Sequence, residues 1–190
     1  MTALAWLRQD LRLADNSTIG LRPVDPDQRN IIPIYLWAPE EEGDWPPGAA
    51  SRWWLHQSLT ALAADLEKRG SRLIIRRGPS LQTLEDLIAE TGAEAVYWNR
   101  RYEPAAIARD RKVEKALRHR GITVETFNAN LLFEPGTVLN SSGEPFRVFT
   151  AFWRATQKST LAPPAPNAPR RIPAPHTWPK SLPLDRKSVV

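Results

Sequence analysis

Five short apolar runs alternate with helix-like stretches along this chain, and no other feature limits its fold as much. The runs are Ala3–Leu7, Ile31–Trp37, Arg72–Ile75, Glu94–Trp98 and Ile122–Phe127. None alternates strictly between apolar and polar residues, so each reads as a strand covered on both faces. Pro33 lacks a backbone N–H and is awkward inside a strand, so it is expected to mark where pairing begins.

The stretches between the runs carry helix start and stop signals. Ser51 suits an N-cap, Leu55, Leu59, Leu62 and Leu66 follow at helical spacing, and Gly70 suits a left-handed terminus. A second helix starts near Ser80, buries Leu81, Leu84, Leu87 and Ile88, and stops at Gly92. A third has Pro104 in its first turn and ends at Gly121. Ile107, Asp110, Val113 and Leu117 share one of its faces, so Asp110 is expected to meet a partner. The alternation predicts an α/β fold: a doubly wound, five-stranded parallel sheet of Rossmann type. Ligands of such sheets bind beyond the carboxyl ends of the strands.

After Phe127 the pattern dissolves into loops and short extended pieces, with one more short helix over 148–156. Prolines then recur from Pro163 to Pro183. That composition reads as an extended linker or wrapping arm that packs no core. The expected organisation is a domain over 1–157 and a Pro-rich linker over 158–184. The ending, residues 185–190, reads DRKSVV. GAT CGG AAG AGC GTC GTG encodes it, a common sequencing-adapter string whose next triplet is a stop. It is read as a sequencing or cloning artefact, the alternative being an ordinary short tail.

Composition removes several function classes. There is no cysteine, which excludes disulfides, thiolate metal sites and a cysteine nucleophile. The histidines, His56, His119 and His176, are widely spaced, and no metal site is expected. No stretch approaches a membrane span and no signal peptide opens the chain, so the expected compartment is the cytoplasm. The net charge of +5 does not describe the domain. Residues 1–157 carry 20 basic and 20 acidic residues, and the whole excess lies in 158–190. A basic DNA-binding face on the domain is therefore not expected.

The motifs of phosphate binding are missing. Neither a Walker A sequence nor GxGxxG occurs, and there is no GxSxG nucleophile elbow. Where a glycine loop would follow the first strand, the chain reads WLRQDLRLADN over residues 6–16. Eight tryptophans are many for this length. Core or cap packing is the simpler reading of them. The alternative is that Trp37 and Trp98, at two strand ends, line a planar ligand, since stacking suits any flat ring. Asn99, Arg100, Arg101 and Glu103 add polar groups at one of those ends.

WLRQDLRLADN at 6–16, YWNRRYEPAAIARD at 97–110 and GEPFRVFTAFWRA at 143–155 together resemble the N-terminal α/β domain of the DNA photolyase/cryptochrome family. AASRWWLHQSLTALAADLEKRG at 49–70 fits the same family. Asp10 makes the likeness one to bacterial cyclobutane pyrimidine dimer photolyases, where glycine would point to the animal cryptochrome group. The resemblance implies that the charged end of the first strand fixes a turn and a contact between domains. It implies a deoxyribodipyrimidine photo-lyase, a flavoprotein that repairs DNA with light. In that family the N-terminal domain carries an antenna chromophore, folate or deazaflavin. FAD and the catalytic groups belong to a C-terminal flavin domain, which is absent from this sequence, so no catalytic residue is assigned and the chain alone is expected to be inactive. The expected partners are that flavin domain and, for a full-length protein, damaged DNA; a monomer is expected.

For folate, the resemblance places Ala105 and Ala106 where polar residues occur, and Pro47 where a histidine does. For deazaflavin, it places Gln9, Trp37, Arg52, Arg101 and Glu103 in the pocket. Arg52 and Glu103 keep the expected type, while Gln9 replaces an arginine and Arg101 an acidic residue. With Asn99 these form the expected antenna site. Two alternatives remain: the same domain in a cryptochrome-type photoreceptor, and a stand-alone nucleotide-binding α/β domain.

Overall fold

A computed structural model describes residues 1–20, 30–158 and 167–184. The expected artefact at 185–190 and the start of the linker lie outside the described residues. Five strands form one all-parallel sheet: β1 (Thr2–Leu7), β2 (Asn30–Trp37), β3 (Ile74–Arg77), β4 (Ala95–Asn99) and β5 (Thr123–Phe127). Their order is β3-β2-β1-β4-β5. The chain winds outward from β1 to β3, then returns to the other side of β1 for β4 and β5. This is the expected doubly wound α/β sheet, with its switch point beside β1.

Helices cover both faces. A short α1 (Ser17–Gly20) and a long α2 (Ala49–Glu67) follow β1 and β2. The later helices are α3 (Ser80–Thr91), α4 (Pro104–His119) and α5 (Phe149–Thr156). Alternate residues of each strand enter opposite cores, as period-two side-chain geometry requires. Leu4, Trp6, Ile34 and Val96 pack with Leu84, Leu87, Val113 and Leu117 of α3 and α4. Ala5, Leu7, Tyr35 and Ile75 pack with Leu59, Leu62 and Leu66 of α2. Each fully buried leucine contributes about 1.5–3 kcal/mol of transfer free energy.

Local signals hold, with shifts. Gly92 ends α3 at φ 61° and donates its N–H to Ile88 O at 2.9 Å, the left-handed cap its lack of a Cβ allows. Helix α2 begins one turn earlier than Ser51 suggested, with Gly48 as N-cap. Strand β3 sits two residues later than the apolar run Arg72–Ile75. Pro33 does not mark where pairing begins: β2 pairs with β1 from Asn30 onward, Pro33 itself stands opposite Ala5, and only the pairing with β3 begins just after it, at Ile34. Ile31 N donates to Pro173 O on the β3 side, and alternation puts the missing N–H of Pro33 on that same edge, where it costs no ladder bond.

The proline-rich arm corrects the expectation of a segment that packs no core. Residues 167–184 run along the β3 edge. Ile172 is only 1% exposed and joins the α2-side core, while Trp178 packs against the other core. Ile172 N donates to Arg69 O at 3.1 Å, and Leu182 N donates to Ile75 O at 2.9 Å. Ile75 N in turn donates to Ser181 Oγ at 2.9 Å. The arm therefore supplies hydrogen bonds to an edge strand that would otherwise be open. Among the described residues no helix is long and apolar enough to cross a membrane, and no group of three potential metal ligands occurs.

Candidate functional site

The charged end of β1 is a stapled turn. Arg8 N donates to Asp10 Oδ1 at 2.9 Å. Asn16 Nδ2 donates to Asp10 O at 3.0 Å, and Asn99 Nδ2 donates to Asn16 Oδ1 at 3.0 Å and also to Asp10 Oδ2. Asp15 takes φ 51°, a left-handed conformation that a short polar side chain tolerates. Chain reversal here rests on a buried polar network, where a phosphate-binding fold would use glycines.

The same turn aims Arg8 inward. Its Nη1 donates to Asp110 Oδ2 at 2.5 Å, and its Nη2 donates to Asn99 O. Asp110 thus meets the partner its place on an apolar helix face demanded. Burial pulls the Arg8 pKa below the usual arginine range, and Asp110 opposes the shift. The guanidiniums of Arg8 and Arg109 lie 4.9 Å and 5.3 Å from the centre of the Trp6 ring. The edge of Trp98 closes on Trp6 at 5.5 Å.

Beyond the carboxyl ends of β1 and β2 lies a cavity of about 500 Å³. Trp6, Tyr35, Leu36, Trp37, Trp54 and Leu55 give it an apolar and aromatic wall. Arg8, Gln9, Arg12, Glu42, Arg101 and Arg109 bring polar groups to it. This size, this lining and this place at the strand ends are those of a small-molecule site.

One side of the wall is held by ion pairs. Arg101 Nη1 and Nη2 donate to the two carboxylate oxygens of Glu42, each at 2.8 Å. Glu103 pairs with Arg101 at 3.1 Å, and Arg109 approaches Glu42 at 3.4 Å. Burial disfavours the charge on Arg101, but its hydrogen bonds to Glu42 and Glu103 outweigh that and hold its pKa above the usual arginine value. Burial likewise disfavours a charged Glu42, and the hydrogen bonds and charges of Arg101 with the charge of Arg109 overcome it, leaving the carboxyl below its ordinary range. Burial, reinforced by the Glu42 charge, pushes the Tyr35 phenol upward, so it stays neutral and able to donate.

Of the six residues expected at the site, Gln9, Trp37 and Arg101 line the cavity. Glu103 stands beside it, paired to Arg101 and half exposed. Arg52, on α2, is not part of the wall. Asn99 is a correction: it is 1% exposed, and its amide nitrogen is committed to Asp10 and Asn16 beneath the turn. Trp98 is likewise core. Pro47 lines the cavity, and neither it nor the alanines at 105 and 106 carries a side-chain hydrogen-bonding group. Trp53 and Trp54 are not core or cap packing: Trp54 is 67% exposed while lining the cavity. Sequence reasoning missed Glu42, which hides in the acidic run Glu40-Glu41-Glu42, and Arg109, although its neighbour Asp110 was flagged.

Comparison with known proteins agrees with this architecture. A sequence model of the family described as DNA photolyase matches residues 3–171. The chain is 44% identical over 178 residues to the deoxyribodipyrimidine photo-lyase of Agrobacterium fabrum, covering 94% of this chain and 36% of that protein. It is 38% identical over 169 residues to Cryptochrome-1 of Arabidopsis thaliana, covering 88% of this chain and 24% of that protein. The crystal structure of a class III photolyase from Agrobacterium tumefaciens superposes with a TM-score of 0.86 at 38% identity, over 100% of this chain and 38% of that one. The chain thus spans from about a quarter to under two fifths of the length of these relatives. With the matched α/β sheet and the motifs it carries, the chain belongs to the DNA photolyase family.

Proposed function

We propose that this chain is the antenna-chromophore domain of a deoxyribodipyrimidine photolyase, and that the cavity at the β1 and β2 ends seats the chromophore. The observation that carries this reading is the cavity itself: about 500 Å³, walled by three tryptophans and a tyrosine, at the strand ends. A related archaeal photolyase from Sulfolobus tokodaii, 25% identical, is described with two FAD molecules, with the implication of a novel light-harvesting cofactor. When bound, such a group would supply light absorption and energy transfer to a flavin. The chain's own residues do the rest. Trp37 and Trp54 flank a flat ring, Arg101 is fixed by Glu42, Gln9 and Glu103 mark one side of the mouth, and Tyr35 keeps its proton. Folate and deazaflavin are the chromophore classes considered; Pro47 and the alanines at 105 and 106 offer folate no side-chain hydrogen bond.

Repair of pyrimidine dimers, damaged DNA as substrate, FAD in a separate flavin domain and a cytoplasmic monomer complete the proposal. The test is reconstitution of the purified chain with folate, deazaflavin or riboflavin. A violet or near-ultraviolet band retained after gel filtration, and lost with Trp37→Ala, is expected. No retained band with any of the three would overturn it. A photoreceptor reading, supported by the likeness to Cryptochrome-1 of Arabidopsis thaliana, would share the cavity. Light-dependent dimer repair by the chain joined to a flavin domain separates the two.

A further inference from the structure

The sheet edge at β3 is straddled by one segment, residues 167–184, which forms no helix or strand of its own. Ile172 enters the core on the α2 side at 1% exposure, and Trp178 packs against the core on the α3 side. The arm thus has an apolar anchor on each face of the sheet. The Arg72 guanidinium lies 5.4 Å from the centre of the Trp178 ring and closes over that anchor.

Around these anchors the domain reads the backbone of the arm. Arg69 Nε donates to Pro169 O at 3.1 Å, Ile31 N to Pro173 O at 2.9 Å, and Arg76 Nε to Lys180 O at 2.8 Å. In return Ile172 N donates to Arg69 O, and Leu182 N to Ile75 O. Both arginines are themselves held in place: Arg69 Nη1 donates to Asp65 O at 2.7 Å, and Arg76 pairs with Glu90. A strand edge that offers main-chain hydrogen bonds, with seats for particular side chains, is how sheets bind extended peptides. The prolines of the arm lower the entropy lost when it is ordered. None of these contacts requires an unbroken chain between α5 and the arm.

We propose that the groove along β3 is a recognition site for an extended proline-rich segment, that its grip on residues 167–184 does not depend on the tether, and that the arm of a second copy can take the place of the first. In the intact chain the tether holds the arm at an effective concentration on the order of a millimolar, so the groove is filled in cis. Cutting the tether opens the groove to exchange.

The test uses the full 190-residue chain with a protease recognition sequence placed within residues 159–166. The probe is a fluorescent synthetic peptide of residues 167–184 at micromolar concentration, with uptake read from its anisotropy after equilibration. Cut chain is expected to take up at least about tenfold more peptide than uncut chain, because a micromolar competitor does not displace a tethered arm. A peptide carrying Ile172→Ala is expected to bind about thirtyfold more weakly, the effect of emptying a core position. That change lies in the peptide, so the fold of the domain is untouched. No uptake by cut chain would overturn the proposal. So would equal uptake by cut and uncut chain, which would put the peptide somewhere other than the groove of the arm. Equal binding of the Ile172→Ala peptide would overturn it as well, since the contact would then be unspecific.

Discussion

Arg101 holds Glu42 by its two terminal guanidinium nitrogens, Nη1 and Nη2, each at 2.8 Å, and so ties the loop after β4 to the loop after β2 across the cavity wall. The Arg101 side chain is 8% exposed and that of Glu42 22%, so the pair is only partly screened by water. Glu42→Gln should destabilise the chain by about 1–3 kcal/mol, because it leaves the buried arginines short of a countercharge. A urea midpoint unchanged from the parent would contradict this.

The same pair sets a pH dependence. Folding depresses the Glu42 pKa from its ordinary value of 4.5. A depressed carboxyl contributes stability that is complete above the unfolded value and is lost as pH falls through the folded one. Stability of the parent should therefore fall faster than that of Glu42→Gln below about pH 4.5, and the gap between them should narrow. Parallel pH–stability curves for the two proteins would be the contrary result.

Asn99 is a structural residue in this account. Asn99→Ala removes a donor from both Asp10 and Asn16 and should cost about 2–4 kcal/mol, as loss from a buried polar network does. Ligand affinity at pH 7, measured where the variant is folded, should stay within about twofold, a change of only a few tenths of a kcal/mol. A stable variant with abolished binding would return Asn99 to the ligand.

Much of the fold is visible in the sequence because parallel strands buried on both faces leave apolar runs, and Gly92 and Pro104 punctuate the helices between them. The site is only partly visible. Arg101 and Trp37 fall at strand ends, where a one-dimensional reading can find them. Asn99 falls there too, yet its side chain points beneath the turn. Which way a strand-end residue faces depends on Asp10 and Asn16, more than eighty positions away in sequence. Glu42 acquires meaning only through Arg101. The arm misled for a related reason: proline spacing describes a chain without helix or ladder, while the burial of Ile172 depends on a groove formed by α2 and β3.

That arm supplies a further prediction. Ile172→Ala should destabilise the domain by about 2–4 kcal/mol, the usual cost of opening a core cavity. A loosely draped linker would give a change within about 0.5 kcal/mol. Urea denaturation of the two proteins distinguishes these outcomes.

The chain alone is expected to repair no dimers and to bind DNA weakly, since residues 1–157 carry no net charge with which to release counterions. Light-dependent repair by the purified chain would contradict this. So would tight, salt-sensitive binding that survives removal of residues 158–190.

The most direct test of the account is the position of a bound chromophore. Crystals of the chain soaked with folate, deazaflavin or riboflavin should show a flat ring beyond the carboxyl ends of β1 and β2, flanked by Trp37 and Trp54. A ring bound at the opposite edge of the sheet, with this cavity holding only solvent, would contradict it.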